Sequence, residues 1–185
     1  LVGFFSVLFG SVAALYQTKI KRLLAYSSIS HMGFVLLAFS CNSIEGFASA
    51  IYYLLVYSVL SLGVFLILIT VKDFQTDAEL SDLIDFSYLN NVNAFLSFTF
   101  ILFMYSLAGI PPLIGFLIKL SVFSLLIENQ EYYISLILIL INVVSSFYYL
   151  WIIKIIYFKK YFSNKYFKTL VITESYVIIT MLFFN

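Results

Sequence analysis

Residues 47–71 read FASAIYYLLVYSVLSLGVFLILITV, without one charged side chain. A bilayer core about 30 Å thick is crossed by about 20 mostly apolar residues in helical form, so this stretch predicts a transmembrane helix. Outward from it the pattern recurs, giving six candidate spans at about 1–17, 23–41, 47–71, 93–127, 132–158 and 168–184. The first closes at Gln17-Thr18-Lys19-Ile20-Lys21-Arg22, and the second at a short turn from Asn42 to Gly46. After Lys72-Asp73 a polar segment reaching Asn91 carries Asp77, Glu79, Asp82 and Asp85. It is expected as a solvent-side connection with room for one helical turn at the interface. The fold class expected is therefore an all-α, multi-pass integral membrane protein, with 1–185 as a single membrane domain.

The composition agrees. Of 185 residues 63% are hydrophobic and 10% charged, with a mean hydropathy of +1.07, against about 25% charged in a soluble domain. A soluble core is excluded. Ten basic and nine acidic side chains give a net charge of +1, far from the concentrated basic surplus of a nucleic-acid binder; lipid, not nucleic acid, is the expected surrounding. The lone Cys41 cannot form an internal disulfide. Phe 21 and Tyr 15 against Gly 7 and Pro 2 is a skew toward A/T-rich codons and hints at an organellar gene. No Arg/Ser-rich presequence precedes the first apolar run, so the expectation is a protein made where it is used, or one numbered from a trimmed start.

Basic residues gather in loops on the cytoplasmic or matrix side. The connections after spans one, three and five hold Lys19, Lys21, Arg22, Lys72, Lys159, Lys160, Lys165 and Lys168, with Lys154 just inside the fifth span; the turns after spans two and four hold Glu45, Glu128 and Glu131. Six spans with this alternation put both termini on the outer face.

The fourth run is too long for one straight crossing, because 93–127 as unbroken helix would extend about 52 Å at about 1.5 Å per residue. Near its middle stands Gly109-Ile110-Pro111-Pro112. Each proline deletes a backbone donor, and the first disfavours the helical region for Ile110. The helix is expected to break at Gly109–Pro112. Broken backbone at membrane depth is tolerated where it is packed in protein or lines a wet cavity, and discontinuous helices recur in ion transport. A simple proline kink is the other reading.

Between Asp85 and Glu128 the only charged residue is Lys119. A mid-membrane lysine costs about 2.5–3.5 kcal/mol on insertion scales, so it is expected to face the interior and to exchange protons; the alternative is a lysine snorkelling to the outer interface. His31, the sole histidine, lies within Ser27-Ser28-Ile29-Ser30-His31-Met32-Gly33. With an unperturbed pKa of about 6.5 it suits proton relay, although a histidine merely satisfied by a serine fits as well. Ser28, Ser30 and Tyr57 mark a possible polar axis, and Ser58 and Ser61 extend the polar group on the third span; interhelical polar glue explains these equally. Glu174, inside the last run, is given no role. Tyr148-Tyr149-Leu150-Trp151 with Tyr157-Phe158 reads as lipid-facing and interfacial anchoring.

The sequence has no phosphate-binding glycine loop, metal-ligand spacing, nucleophile elbow or dinucleotide fingerprint. One histidine and one cysteine exclude a bis-histidine haem or a Cys-ligated iron–sulfur cluster within this chain alone. No cofactor or metal is expected in it.

The segment 14–34, ALYQTKIKRLLAYSSISHMGF, resembles the signature of the antiporter-like membrane subunits of respiratory complex I and of the related multisubunit cation/proton antiporters. Within that group 53–65, YLLVYSVLSLGVF, and 106–119, SLAGIPPLIGFLIK, most resemble subunit 2 of NADH:ubiquinone oxidoreductase. Lys119 and Tyr57 stand where a sister subunit has glutamate and histidine. The resemblance is weak in the last two spans. It implies that the six helices are spans nine to fourteen of a fourteen-span, antiporter-like subunit, with Lys119 exchanging protons with the outer face and His31 on a central hydrophilic axis. The chain would be the C-terminal half of a proton-translocating subunit of an NADH-oxidising, ubiquinone-reducing enzyme, driven by redox chemistry elsewhere. It would lie in the mitochondrial inner membrane, or alternatively a bacterial plasma membrane. Either a separate polypeptide carries the N-terminal half, which the A/T-skewed composition favours, or the sequence is a fragment; that polypeptide and other complex I membrane subunits are the implied partners. A cation/proton antiporter subunit and a structural membrane module without transport are the alternatives.

Overall fold

The computed structural model describes residues 1–73, 82–158 and 167–169. Seven helices occur among them: α1 (Val2–Leu15), α2 (Ile20–Ser40), α3 (Ile44–Thr70), α4 (Leu89–Val92), α5 (Ala94–Ala108), α6 (Ile114–Glu128) and α7 (Tyr132–Phe158). A 3-10 helix, Leu83–Tyr88, precedes α4 and lies within the connection expected to hold a helical turn. Helices α2, α3 and α7 are long and apolar enough to cross a membrane. The 14-residue α1 extends only about 21 Å and stops two residues before the expected end at 17. Expected span 93–127 is two helices of 15 residues each, α5 and α6.

Local chemistry sets the helix ends. Ser43 accepts a hydrogen bond from Gly46 N at 2.9 Å, which starts α3, and Asn93 Oδ1 accepts from Leu96 N at 3.0 Å, which starts α5; both satisfy donors that a helix N-terminus leaves open. Helices α1 and α2 pack tightly because Gly10 has no side chain: a Cβ there would lie 2.6 Å from Ser30 N. Beside it Ser11 and Ser30 hydroxyls meet at 3.0 Å.

One departure from an all-helical chain is a strand pair, β1 (Val71–Asp73) antiparallel to β2 (Phe167–Thr169), with Val71 opposite Thr169. Residues 168 and 169, expected to begin the sixth span, are therefore extended. The rest of that span, Glu174 included, lies outside the described residues. The departure is non-local, since β2 acquires its conformation by pairing with a segment nearly a hundred residues earlier.

This pair also fixes sidedness within the fold. It joins the connection after α3 to the stretch after α7, while Leu83 N donates to Thr18 O at 3.1 Å and Lys19 bridges to Asp82. The described parts of these three connections thus lie at one end. At the other end Cys41 lies close enough to Glu131 to feel its charge: burial, and then the Glu131 carboxylate, push the Cys41 thiol up from its ordinary value.

Candidate functional site

The interruption between α5 and α6 is built around a helix end. Gly109 adopts φ +79°, a left-handed conformation open to glycine at little cost. Its N–H donates to Ser106 O at 2.9 Å, and Ile110 N donates to Tyr105 O at 3.3 Å, the paired bonds of a Schellman stop. Those bonds satisfy the carbonyls of Tyr105 and Ser106. The next two, Leu107 and Ala108, are left without helical donors, since Pro111 and Pro112 follow and have no N–H.

Lys119 takes both. Its Nζ donates to Leu107 O at 3.0 Å and to Ala108 O at 3.1 Å, and a third bond, 2.7 Å, goes to Oδ1 of Asn142 on α7. Side chains on a helix lean toward its N-terminus, so a lysine one turn into α6 reaches back to the break, away from Ile127. It is 3% exposed. Three ammonium protons meet three uncharged acceptors, and the negative end of the α5 dipole favours the cation there. Gly115 allows the return of the chain: a Cβ on it would overlap Ser106 O, and its N–H donates to Ser106 Oγ at 3.2 Å.

His31 is 3% exposed in the centre of α2. Its Nδ1 lies 2.8 Å from Tyr53 OH and its Nε2 3.1 Å from Tyr149 OH, so in either neutral tautomer one nitrogen donates and the other accepts. Tyr57 stacks on the imidazole, with ring centroids 4.7 Å apart, while Ser27 and Ser28 donate to the Leu24 and Ala25 carbonyls of their own helix at 2.8 and 2.7 Å. Phe34 stands between the two groups, stacked on Tyr53 at 6.0 Å with Lys119 Nζ 6.0 Å from its ring centroid.

Of the other residues singled out in the sequence, Ser30 turns away to Ser11. Ser58 and Ser61 donate to carbonyls of their own helix, at 2.8 and 2.9 Å, and so join no neighbour by those bonds. Anchoring of the whole aromatic stretch on α7 needs correction. Tyr148 and Tyr149 are buried, whereas Leu150, Trp151, Tyr157 and Phe158 are exposed, because successive positions on a helix face different directions. The sequence reading gave no role to Asn142, Ser145 or Tyr53 and placed Tyr149 among the anchoring residues. A signal existed on α7: Asn142 is the only side-chain amide in 132–158, and 142, 145 and 149 recur at helical spacing.

A family model described as NADH:quinone oxidoreductase/Mrp antiporter, TM, matches residues 1–173. The chain is 43% identical over 155 residues to the NADH-quinone oxidoreductase subunit N of Pelagibacter ubique, which covers 84% of this chain and 32% of that protein. To the subunit N of Coxiella burnetii it is 39% identical over 158 residues, covering 85% and 32%. A chain of respiratory complex I from Thermus thermophilus with bound Aureothin superimposes with a TM-score of 0.83 at 26% identity, covering 98% of this chain and 40% of that one. The chain spans about a third of the length of the curated relatives it matches.

Proposed function

This chain belongs to the NADH:quinone oxidoreductase/Mrp antiporter transmembrane family, and on that premise we propose that it is the C-terminal half of a proton-translocating subunit of the subunit N, or subunit 2, type. In this reading α5 and α6 together make one crossing broken at Gly109–Pro112, and the lysine-rich end faces the matrix or cytoplasm. Other complex I membrane subunits surround the chain. The membrane is an energy-coupling one, mitochondrial inner or bacterial plasma.

The observation that carries the proposal is the setting of Lys119: an ammonium held at a helix break by three neutral acceptors. A carboxylate partner would fix the charge on the lysine. Neutral acceptors hold the ammonium without forbidding release of its proton. A structural module has no need of a buried amine that costs about 2.5–3.5 kcal/mol to insert.

Membrane vesicles containing the assembled complex provide the test. NADH oxidation is expected to drive proton uptake into them without sodium, and Lys119→Ala is expected to lower the protons moved per electron pair. Sodium-dependent exchange without NADH identifies an antiporter subunit instead. An undiminished proton yield in Lys119→Ala identifies a structural module.

A further inference from the structure

At the end of the fold opposite the lysine-rich connections, a cavity of about 510 Å³ lies among the ends of α1, α2, α6 and α7, a volume within the roughly 300–1,000 Å³ of small-molecule sites. Tyr133, 88% exposed, stands at its mouth. Phe4, Leu37, Leu126, Ile134 and Ile137 form an apolar wall inside the helices, whereas Ser40, Asn129 and Glu131 form a polar rim where the helices end. That rim offers acceptors. Ser40 Oγ gives its proton to Leu37 O at 2.7 Å, and Asn129 Nδ2 donates to Leu125 O at 2.8 Å, which leaves the Ser40 oxygen and Asn129 Oδ1 to accept. The Glu131 carboxylate accepts only. Among the described residues no donor meets any of the three. The two turns at this end, 41–46 and 128–131, carry Glu45, Glu128 and Glu131 and neither lysine nor arginine.

We propose that this cavity binds a phospholipid of the surrounding membrane whose head carries a primary ammonium group, with one acyl chain on the apolar wall and the ammonium at Glu131, Asn129 and Ser40. Three N–H protons meet three acceptors, and the positive charge faces an end that holds acids alone. A quaternary ammonium has no proton to donate. An anionic head meets like charge. Because lipid tails are as apolar as the leucine and isoleucine side chains of the wall, the wall selects by shape and the rim selects by chemistry. The site does not depend on the role of Lys119 and is expected in a proton-translocating subunit and in a structural module alike.

The test places the assembled complex in vesicles of dioleoylphosphatidylcholine with added dioleoylphosphatidylethanolamine and treats them with a carbodiimide, which joins a carboxyl to a touching primary amine as an amide with loss of water. Peptides are then read by mass. Glu131 is expected to gain the mass of the ethanolamine lipid less one water, severalfold more often than Glu128 or Glu45, the other acids of this end. Ile137, 40% exposed on the wall, supplies the second arm. Ile137→Phe fills the seat and is expected to lower the lipid adduct severalfold, while free ethanolamine, which needs no seat, still couples to Glu131 as in the unaltered chain. Absence of a lipid adduct at Glu131 overturns the site, the result if another polypeptide segment covers the mouth. Equal adducts at the three acids overturn it too, since they mark passing contact with the headgroup layer. An undiminished lipid adduct in Ile137→Phe places the acyl chain elsewhere and overturns the seat. The comparison of the three acids uses the unaltered chain, so it decides the matter even where Ile137→Phe fails to assemble.

Discussion

The ammonium of Lys119 lies 2.7 Å from Oδ1 of Asn142, a side chain on a different helix. This contact ties the interrupted segment to α7. Because a hydrogen bond to a charged group contributes about 1.5–3 kcal/mol, Asn142→Leu is expected to destabilise the assembled complex by about that amount, seen as a lower yield of complex or a lower Tm. Lys119→Leu/Asn142→Leu also leaves the Leu107 and Ala108 carbonyls without their donor, and a buried acceptor left open costs stability, so the double variant is expected to stay at least as unstable as Asn142→Leu and to lose proton translocation. Recovery to wild-type stability would show that those bonds contribute little.

The two glycines at the break are expected to differ in tolerance. A methyl on Gly115 overlaps the backbone carbonyl of Ser106, which cannot rotate away, so Gly115→Ala is expected to cost the upper end of the roughly 1–3 kcal/mol typical of overpacking. Gly109→Ala meets a left-handed φ of +79°, about 1–2 kcal/mol, and its nearest new neighbour is Lys119 Cδ at 2.9 Å, part of a flexible side chain. Assembly of the complex compared between the two variants checks the order; equal or reversed effects would count against the close α5–α6 approach.

Cys41 tests both the sidedness and the electrostatics of the acidic end. Its thiol is pushed up by burial and then by Glu131, and only the thiolate reacts with maleimide. Labelling at neutral pH is expected to be slow and to come from the outer face. Glu131→Gln removes the lesser of the two causes, so it is expected to speed the reaction and to shift its pH dependence downward. A cysteine at position 21 is expected to label from the opposite face. Labelling of both positions from one face would contradict the arrangement of the connections.

Sequence reading reached the apolar helices because length and charge gaps are local properties, and it reached Gly109, Pro111 and Pro112 because a missing N–H is visible without a fold. The partners of Lys119 were out of reach. Carbonyls of Leu107 and Ala108 belong to every sequence alike, and only the return of α6 over α5 turns them toward the amine. Tyr149 shows a different limit. One composition-based reading was applied to all of 148–151, yet at 100° per residue a single helix face takes Tyr149 inward and leaves Leu150 outside. The strand pair β1–β2 was illegible for a third reason: neither three-residue segment has a pattern of its own, and each is extended only because the other lies beside it.

As a proton carrier Lys119 must release its proton, a property that Lys119→Arg removes. Arginine has a pKa above about 12 and stays charged, so it can replace the cation at the α5 carbonyls but cannot deliver a proton. Proton yield per electron pair, measured in vesicles holding normal amounts of assembled complex, is expected to fall in Lys119→Arg about as far as in Lys119→Ala. Wild-type yield in an assembled Lys119→Arg complex would contradict the account, leaving Lys119 as a structural cation at a helix end.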